Sequence, residues 1–171
     1  RLIAALIRDA SLESITYTRF PGGVGTTEHI HRDLLHMTVV ESGKGICVAG
    51  GTRVPLVAGT VSFVYPNETH SFHVDPDDPY LNFTVKIRVA GLLPQGLPRS
   101  LSGGKRFSRK LFKALRALFL IHQGAENMVK PLREKSALLG IFAELLSVDA
   151  DKGTFAPPIS VSPEFERTLE R

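Results

Sequence analysis

Short segments with strand character alternate with turns through the first half of the chain. The turns, among them PGGVG, SGKG and DPDDP, hold the Gly, Pro and Asp residues that reverse a backbone. Strands this short at this regular spacing predict an antiparallel sandwich or barrel rather than a parallel α/β sheet. The segments rich in β-branched and aromatic residues are LESITYTRF (12–20), LHMTVVES (35–42), GICVAGG (45–51), GTVSFVY (59–65) and YLNFTVKIRV (80–89).

The apolar pattern changes to a helical period after a Gly- and Pro-rich connector over 90–104. Over 105–122 apolar residues recur every three or four positions while Lys and Arg fall on another side, which predicts an amphipathic helix ended by Gly124. A second helix is predicted to begin at Pro131 and to reach 148. The apolar positions that these helices are expected to bury are Leu111, Leu115, Leu118, Leu138, Phe142 and Leu145.

The apolar faces of the two predicted helices need a covering surface. The barrel, the other helix or a second copy of the protein can each cover these faces. The sequence therefore favours an intramolecular core and a dimer interface equally. After the helices, 149–163 has the Pro, Gly and Ser content of a linker, and PEFERTLER (163–171) is typical of the first turns of another helix.

Composition and charge narrow the class of protein. The chain has 171 residues, 43% of them hydrophobic and 22% charged, as in a single soluble globular domain, and no apolar run reaches the ~18 residues of a membrane span. Cys47 is the only cysteine, so no internal disulfide can form and we expect a cytoplasmic protein. Much of the net charge of +4 lies in KRFSRKLFKALR (105–116), which we interpret as a solvated helix face. Contact with a membrane surface or with nucleic acid is the least favoured interpretation of that helix.

Five of the six histidines lie in the β-rich half: His29, His31, His36, His70 and His73. In EHIH, strand alternation places His29 and His31 on the same face. If the sheet closes into a small barrel, His36 and His70 reach the same interior, which gives His29, His31, His36 and His70 as the predicted metal ligands. Imidazole ligands suit a divalent transition metal such as Zn, Ni, Fe or Cu far better than Mg or Ca. A polar pocket lined by the same histidines without any ion is the alternative.

Two segments resemble the cupin sequence motifs. HIHRDLLHMTVVESG (29–43) has the spacing H-x-H-x4-H-x6-G of the first motif, with His36 where a Glu is usual. GTVSFVYPNETH (59–70) resembles the second motif, with Tyr65 in place of a Pro and Asn67 in place of a Gly. The Asn that usually follows the last His is missing. The matching spacing implies the cupin fold, and the departures fall on one ligand and on the turn before His70.

More narrowly, the run 28–45 together with 59–70 is similar to the N-terminal domain of AraC-type transcription regulators. The resemblance implies a mainly β fold, a cupin-type double-stranded β-barrel (jelly roll) over 1–90, followed by a connector and two α-helices over 91–148. Residues 149–171 would then be a linker and the start of a DNA-binding domain. The resemblance further implies a small-molecule effector in the barrel, a homodimer contact through the helices, and DNA binding only through the downstream domain.

The residues that line the effector pocket depend on the strand register, which the sequence does not fix. Apolar and aromatic side chains on the strands favour a small organic molecule of limited charge, and a sugar, an aromatic acid and a metal complex all stay open. The predicted lining residues are Thr38, Val40, Cys47, Phe63, Phe72 and Phe83.

A metal-dependent cupin enzyme, of the dioxygenase or isomerase type, is the alternative to a sensor. The same histidines would hold an ion that acts as a Lewis acid or binds O₂. The candidates for a second catalytic group are chosen only because they lie near the histidines in the sequence: Glu28, Asp33, Tyr65 and Glu68. Residues of these types most often lie in solvated turns or at strand edges. We therefore expect a sensor with no catalytic residues.

Overall fold

Two antiparallel sheets and two helices make up the described part of the molecule. The structure, a computed structural model, describes residues 8–89, 98–103 and 105–150. The strands are β1 Ala10–Phe20, β2 His29–Ile30, β3 Leu34–Ser42, β4 Lys44–Ala49, β5 Thr52–Val57, β6 Thr60–Val64, β7 Thr69–Val74, β8 Tyr80–Val89 and β9 Ser100–Ser102, and the helices are α1 Lys105–Gln123 and α2 Lys130–Ala150. The prediction of a mainly β jelly roll followed by two helices is confirmed.

The strands divide into a five-stranded sheet, in the order β1-β8-β3-β6-β9, and a four-stranded sheet, in the order β2-β7-β4-β5. The five predicted strands correspond to β1, β3, β4, β6 and β8, each within two residues at either end. Pro55 hides β5 from a strand pattern, and it is accommodated because β5 is an edge strand of its sheet. β9, only three residues long, lies inside the predicted connector and pairs with the edge of β6.

Parts of the predicted connector and linker, at 90–97 and 151–171, lie outside the described residues. The helices begin and end within two residues of their predicted bounds. No helix in the described ranges is both long and apolar enough to cross a membrane.

The five-stranded sheet is apolar on the face that the helices cover. Strand alternation turns Met37 and Val39 of β3 and Val85 of β8 toward the helices, whereas Thr38 and Thr84 face the inside of the barrel. All six predicted helix positions are buried in this core, so within one chain they pack against the sheet and against each other. The helix residues of the core are Leu111, Leu115, Leu118, Leu138, Ile141, Phe142 and Leu145.

A second, smaller core lies between the two sheets. It gathers apolar side chains from the inward faces of β4, β5 and β7 together with Val40, Val64 and Tyr80. Because this core fills only part of the barrel, the inward-facing residues of β1, β3 and β8 border a cavity on its other side.

Candidate functional site

The barrel encloses a cavity of about 430 Å³. Its walls come from the inner faces of β1, β3, β7 and β8 and from the segment 20–31. Cavities of this size accommodate small organic ligands. The cavity lies where the histidine-bearing strands meet, as the barrel prediction requires.

Three histidines converge at one wall of the cavity. His29 and His70 are direct partners across β2 and β7, and His31 follows His29 on the same face. The ring centroids are 4.2 Å apart for His29 and His70, 4.9 Å for His29 and His31, and 5.1 Å for His31 and His70. One ring nitrogen of each residue lies within 4.8 Å of the others, so the three can act on one bound atom.

Backbone carbonyls fix the tautomers of two of these rings. The Nδ1 of His29 lies 2.8 Å from the carbonyl oxygen of Thr27, and the Nδ1 of His70 lies 3.0 Å from that of Glu68. Since a carbonyl only accepts, each Nδ1 carries the proton and donates it, which leaves the lone pair on Nε2. The His70 Nε2 is buried and lacks a hydrogen-bond partner among the described residues. Metal-ligating histidines are oriented in this way by their other ring nitrogen.

Burial favours the neutral form of three imidazoles, those of His31, His36 and His70. It lowers the pKa of His31 to about 4, with smaller contributions from the charges of Lys86, His70 and His29. Burial likewise holds the pKa of His36 well below its usual value and lowers that of His70. Neutral rings present lone pairs at pH 7, so they are ready to bind a metal ion or to accept a hydrogen bond.

His36, the fourth predicted ligand, borders the other three. Its ring centroid lies 5.5 Å from that of His31 and 5.4 Å from that of His70. Its Nε2 is 3.3 Å from the Thr38 hydroxyl, and its buried Nδ1 has no partner in the described part of the chain. The structure therefore brings three predicted ligands to one point and packs the fourth against them.

The turn before His70 keeps its shape although it lacks the glycine of the cupin motif. Asn67 has a φ of 63°, in the left-handed region that Asn tolerates better than other side chains, and its N–H donates to the carbonyl of His31 over 2.9 Å. The Glu68 carboxylate accepts hydrogen bonds from the Tyr65 N–H and from both terminal nitrogens of Arg99. These contacts tie the turn to both neighbouring segments and so aim His70.

Replacing Asn67 by valine is expected to lower the free energy of unfolding by about 1–2 kcal/mol, because a β-branched residue is strained at this φ. Asn67→Gly, which removes that strain, should stay close to the wild type. Urea unfolding of both variants checks this expectation, and equal stabilities of the valine and asparagine proteins would contradict it.

Of the predicted effector-pocket residues, Thr38 and Phe72 line the cavity. Phe63 and Phe83 pair across strands with Met37 and Val39, so they share the helix-covered face of the sheet. Cys47, like Val40, belongs to the core between the sheets, beside the cavity. The register, which the sequence left undetermined, decides all of these placements.

The prediction missed several polar residues of the cavity wall. Ser14 and Thr16 of β1 and Thr84 and Lys86 of β8 face the cavity. The strict alternation of polar and apolar residues in NFTVKI (82–87) marks two different faces of β8. It does not show that the polar face is the inner one, because an alternating strand usually turns that face to solvent.

The Cys47 thiol is expected to resist modification in the folded protein. Burial, followed by the charge of Glu68, raises its pKa to about 12, so almost no thiolate exists at pH 8. Labelling with a thiol-reactive disulfide should be about a thousandfold slower than in denaturant, where the pKa returns to about 8.5. Similar rates in the two conditions, followed by absorbance, would show that the site is open.

Comparison with known proteins places this geometry in a family. Among similar solved structures, a cupin protein from Bacteroides fragilis is 21% identical, with a TM-score of 0.43 over 53% of this chain and 73% of its own. A predicted oxalate decarboxylase from Thermotoga maritima is 24% identical, with a TM-score of 0.42 over 46% of this chain and 68% of its own. A family match extends over residues 19–146, and the chain accordingly belongs to the family of AraC-like ligand binding domains.

Proposed function

We propose that this chain is the effector-sensing domain of an AraC-type bacterial transcription regulator. A small molecule binds in the barrel, and a separate downstream domain contacts DNA. The observation that supports this most directly is the 430 Å³ cavity, lined by polar and aromatic side chains, in a member of a ligand-binding family.

The five-stranded sheet gives a route from the effector to the helices. Thr38 faces the cavity, and its neighbour Val39 packs in the core beneath the helices. On β8, Thr84 likewise faces the cavity and Val85 packs in the core beneath the helices. A ligand shifts an equilibrium only as far as it binds two arrangements unequally, so we propose that occupancy of the cavity favours one packing of the sheet against the helices.

A transition metal fits this site. His29 and His70 would hold it through Nε2 and His31 through one of its ring nitrogens, and imidazole ligands suit Zn, Ni, Fe or Cu. When bound, such an ion supplies positive charge that polarises an oxygen of the ligand. The fixed tautomers of His29 and His70 and the unpartnered, buried Nε2 of His70 support this assignment.

A thermal-shift screen of small metabolites, with and without a chelator, tests the sensor function. A compound that binds only the folded state must raise the melting temperature. In the regulator that contains this domain, the same compound should change the affinity for promoter DNA, measured by fluorescence anisotropy. A screen with no binder, or a binder that leaves DNA affinity unchanged, would refute the proposal.

We propose a homodimer contact at the turn between the helices. The predicted helix positions are buried within one chain, whereas Leu120, Met128, Val129 and Leu132 near this turn are exposed. Exposed apolar residues that lie close together are typical of an interface between proteins.

The double variant Leu120→Glu, Leu132→Glu is expected to be monomeric, because two carboxylates would be desolvated at the contact. Light scattering after size-exclusion chromatography measures the mass. Ala143→Glu, an exposed position toward the other end of α2, is the control and should keep the mass of the wild type. A dimer that survives the double change would place the contact elsewhere.

A metal-dependent enzyme of the dioxygenase or isomerase type is the second candidate, favoured by the same three histidines. The described residues that line the cavity include no carboxylate to serve as a general base. Burial also raises the pKa of Tyr80 to about 12, so its phenol stays protonated at neutral pH. Turnover of a metabolite that is lost in His70→Ala would favour the enzyme.

We place the protein in the cytoplasm. The assignment is supported by its similarity to regulators that act on DNA and by the single buried Cys47, which forms no disulfide.

A further inference from the structure

Lys86 brings a positive charge into the cavity wall. It is half-buried on the inner face of β8, where its direct cross-strand neighbours are Ser14 on β1 and His36 on β3. Within the described ranges, its ammonium group has no ion-pair or hydrogen-bond partner. Other lysines of the protein, such as Lys110 and Lys130, are paired with glutamates.

The surroundings of Lys86 leave its charge uncompensated. No aspartate or glutamate is found among the described residues that line the cavity, and the histidines on the wall, among them the cross-strand neighbour His36, carry no negative charge. A partly desolvated ammonium without a counter-charge is costly, and closing the cavity over a ligand would increase that cost. An anionic group on the ligand would remove it.

Neighbouring side chains can complete an anion-binding site around Lys86. Ser14, beside Lys86 on the adjacent strand, carries a hydroxyl on the cavity wall, and Thr84 and Thr16 form the next cross-strand pair on the same face. Hydroxyl groups donate to anionic oxygens, and hydrogen bonds to an ionised acceptor are about twice as strong as neutral ones.

The opposite end of the cavity is aromatic. Along the inner face of β8 the side chains run from Lys86 through Thr84 and Asn82 to Tyr80, which is six residues or about 20 Å from Lys86. Tyr80 stacks on Phe20 of β1, with ring centroids 5.4 Å apart, and both rings line the cavity. The cavity is therefore charged at one end and apolar at the other.

We infer that the effector is a small organic acid whose carboxylate pairs with Lys86 and whose aromatic or aliphatic body lies toward Phe20 and Tyr80. This inference rests on the proposed sensor function and specifies its ligand class. Among the ligand classes that the sequence leaves open, it selects the acid, because Lys86 lies on the cavity wall.

Matched pairs of acids and amides test the inference. The probes are benzoate, 3-phenylpropanoate and 4-phenylbutanoate, each beside its primary amide, which has nearly the same shape without the charge. Calorimetry should show at least one acid binding about tenfold or more tightly than its amide. Lys86→Met should abolish this preference, and Lys86→Arg, which keeps the charge, should retain it. Lys113→Met, an exposed lysine on α1, is the control and should bind as the wild type does.

Three results would overturn the inference: an amide that binds as well as its acid, an acid preference that survives Lys86→Met, or no binding by any of the acids. Thermal melts of the free variants establish that each is folded, and Lys86→Arg provides the comparison if Lys86→Met is not. If an amide binds as well as its acid, the requirement for an anionic ligand is refuted, but the cavity still binds a ligand and the sensor function stands. The sensor itself fails only when the wider metabolite screen finds no ligand of any charge.

Discussion

Replacement of Leu115 by alanine is expected to lower the free energy of unfolding by about 2–5 kcal/mol. Leu115 is fully buried at the centre of α1, in the core that joins the helices to the five-stranded sheet. The change removes apolar contacts and leaves a cavity that the rigid sheet cannot collapse to fill. Guanidinium unfolding followed by circular dichroism measures the difference.

Lys113→Ala is the control for that experiment. It also truncates a long side chain of the same helix to alanine, but Lys113 is exposed, so its effect should stay within about 0.5 kcal/mol. Equal losses at Leu115 and Lys113 would mean that α1 does not pack against the sheet as described.

Replacement of His70 by alanine is expected to weaken transition-metal binding by at least about a hundredfold, since even a change in a residue that orients a ligand costs tenfold to a hundredfold. His70 combines a fixed tautomer with a buried Nε2 that faces His29 and His31 and has no hydrogen-bond partner in the described ranges. Competition with a chromophoric chelator, using Zn²⁺ and Ni²⁺ in turn, measures the affinity.

His73→Ala is the control because it makes the same change on the same strand. His73 lies on the other side of β7, where its Nε2 is 3.1 Å from the Ser71 hydroxyl and outside the group of three. Its loss should leave the metal affinity unchanged. Undiminished binding in His70→Ala, or an equal loss in both variants, would refute the assigned ligand set.

The sequence patterns predicted both helices and five of the strands, and the resemblance to cupins implied the barrel. The helices at 105–122 and 131–148 follow from the helical spacing of apolar residues, and the five strands from short β-branched and aromatic segments between turns. Four strands were not predicted: β2 and β9 hold two and three residues, too few to show a period, Pro55 conceals β5, and β7 was not recognised as a strand. Short edge strands are recognised by their pairing rather than by their own sequence.

The site was predictable where chain geometry alone decides it. The H-x-H spacing places His29 and His31 on one face in any strand, and the pairing of β2 with β7 adds His70. The lining of the cavity depends instead on which face of β8 the helices cover. Phe83 was predicted to line the pocket and Lys86 was not, because the sequence does not show which layer buries the apolar face of a strand.

The division of β3 and β8 into two faces also bears on how such a domain could change its inducer. Thr38 and Thr84 line the cavity, while Val39 and Val85, one residue further along, pack in the core beneath the helices. Mutations at Thr38 and Thr84 can therefore change which ligand the cavity prefers with little loss of stability. A new ligand specificity can then arise by single substitutions. The same positions are the ones to randomise when the domain is engineered into a biosensor for another compound.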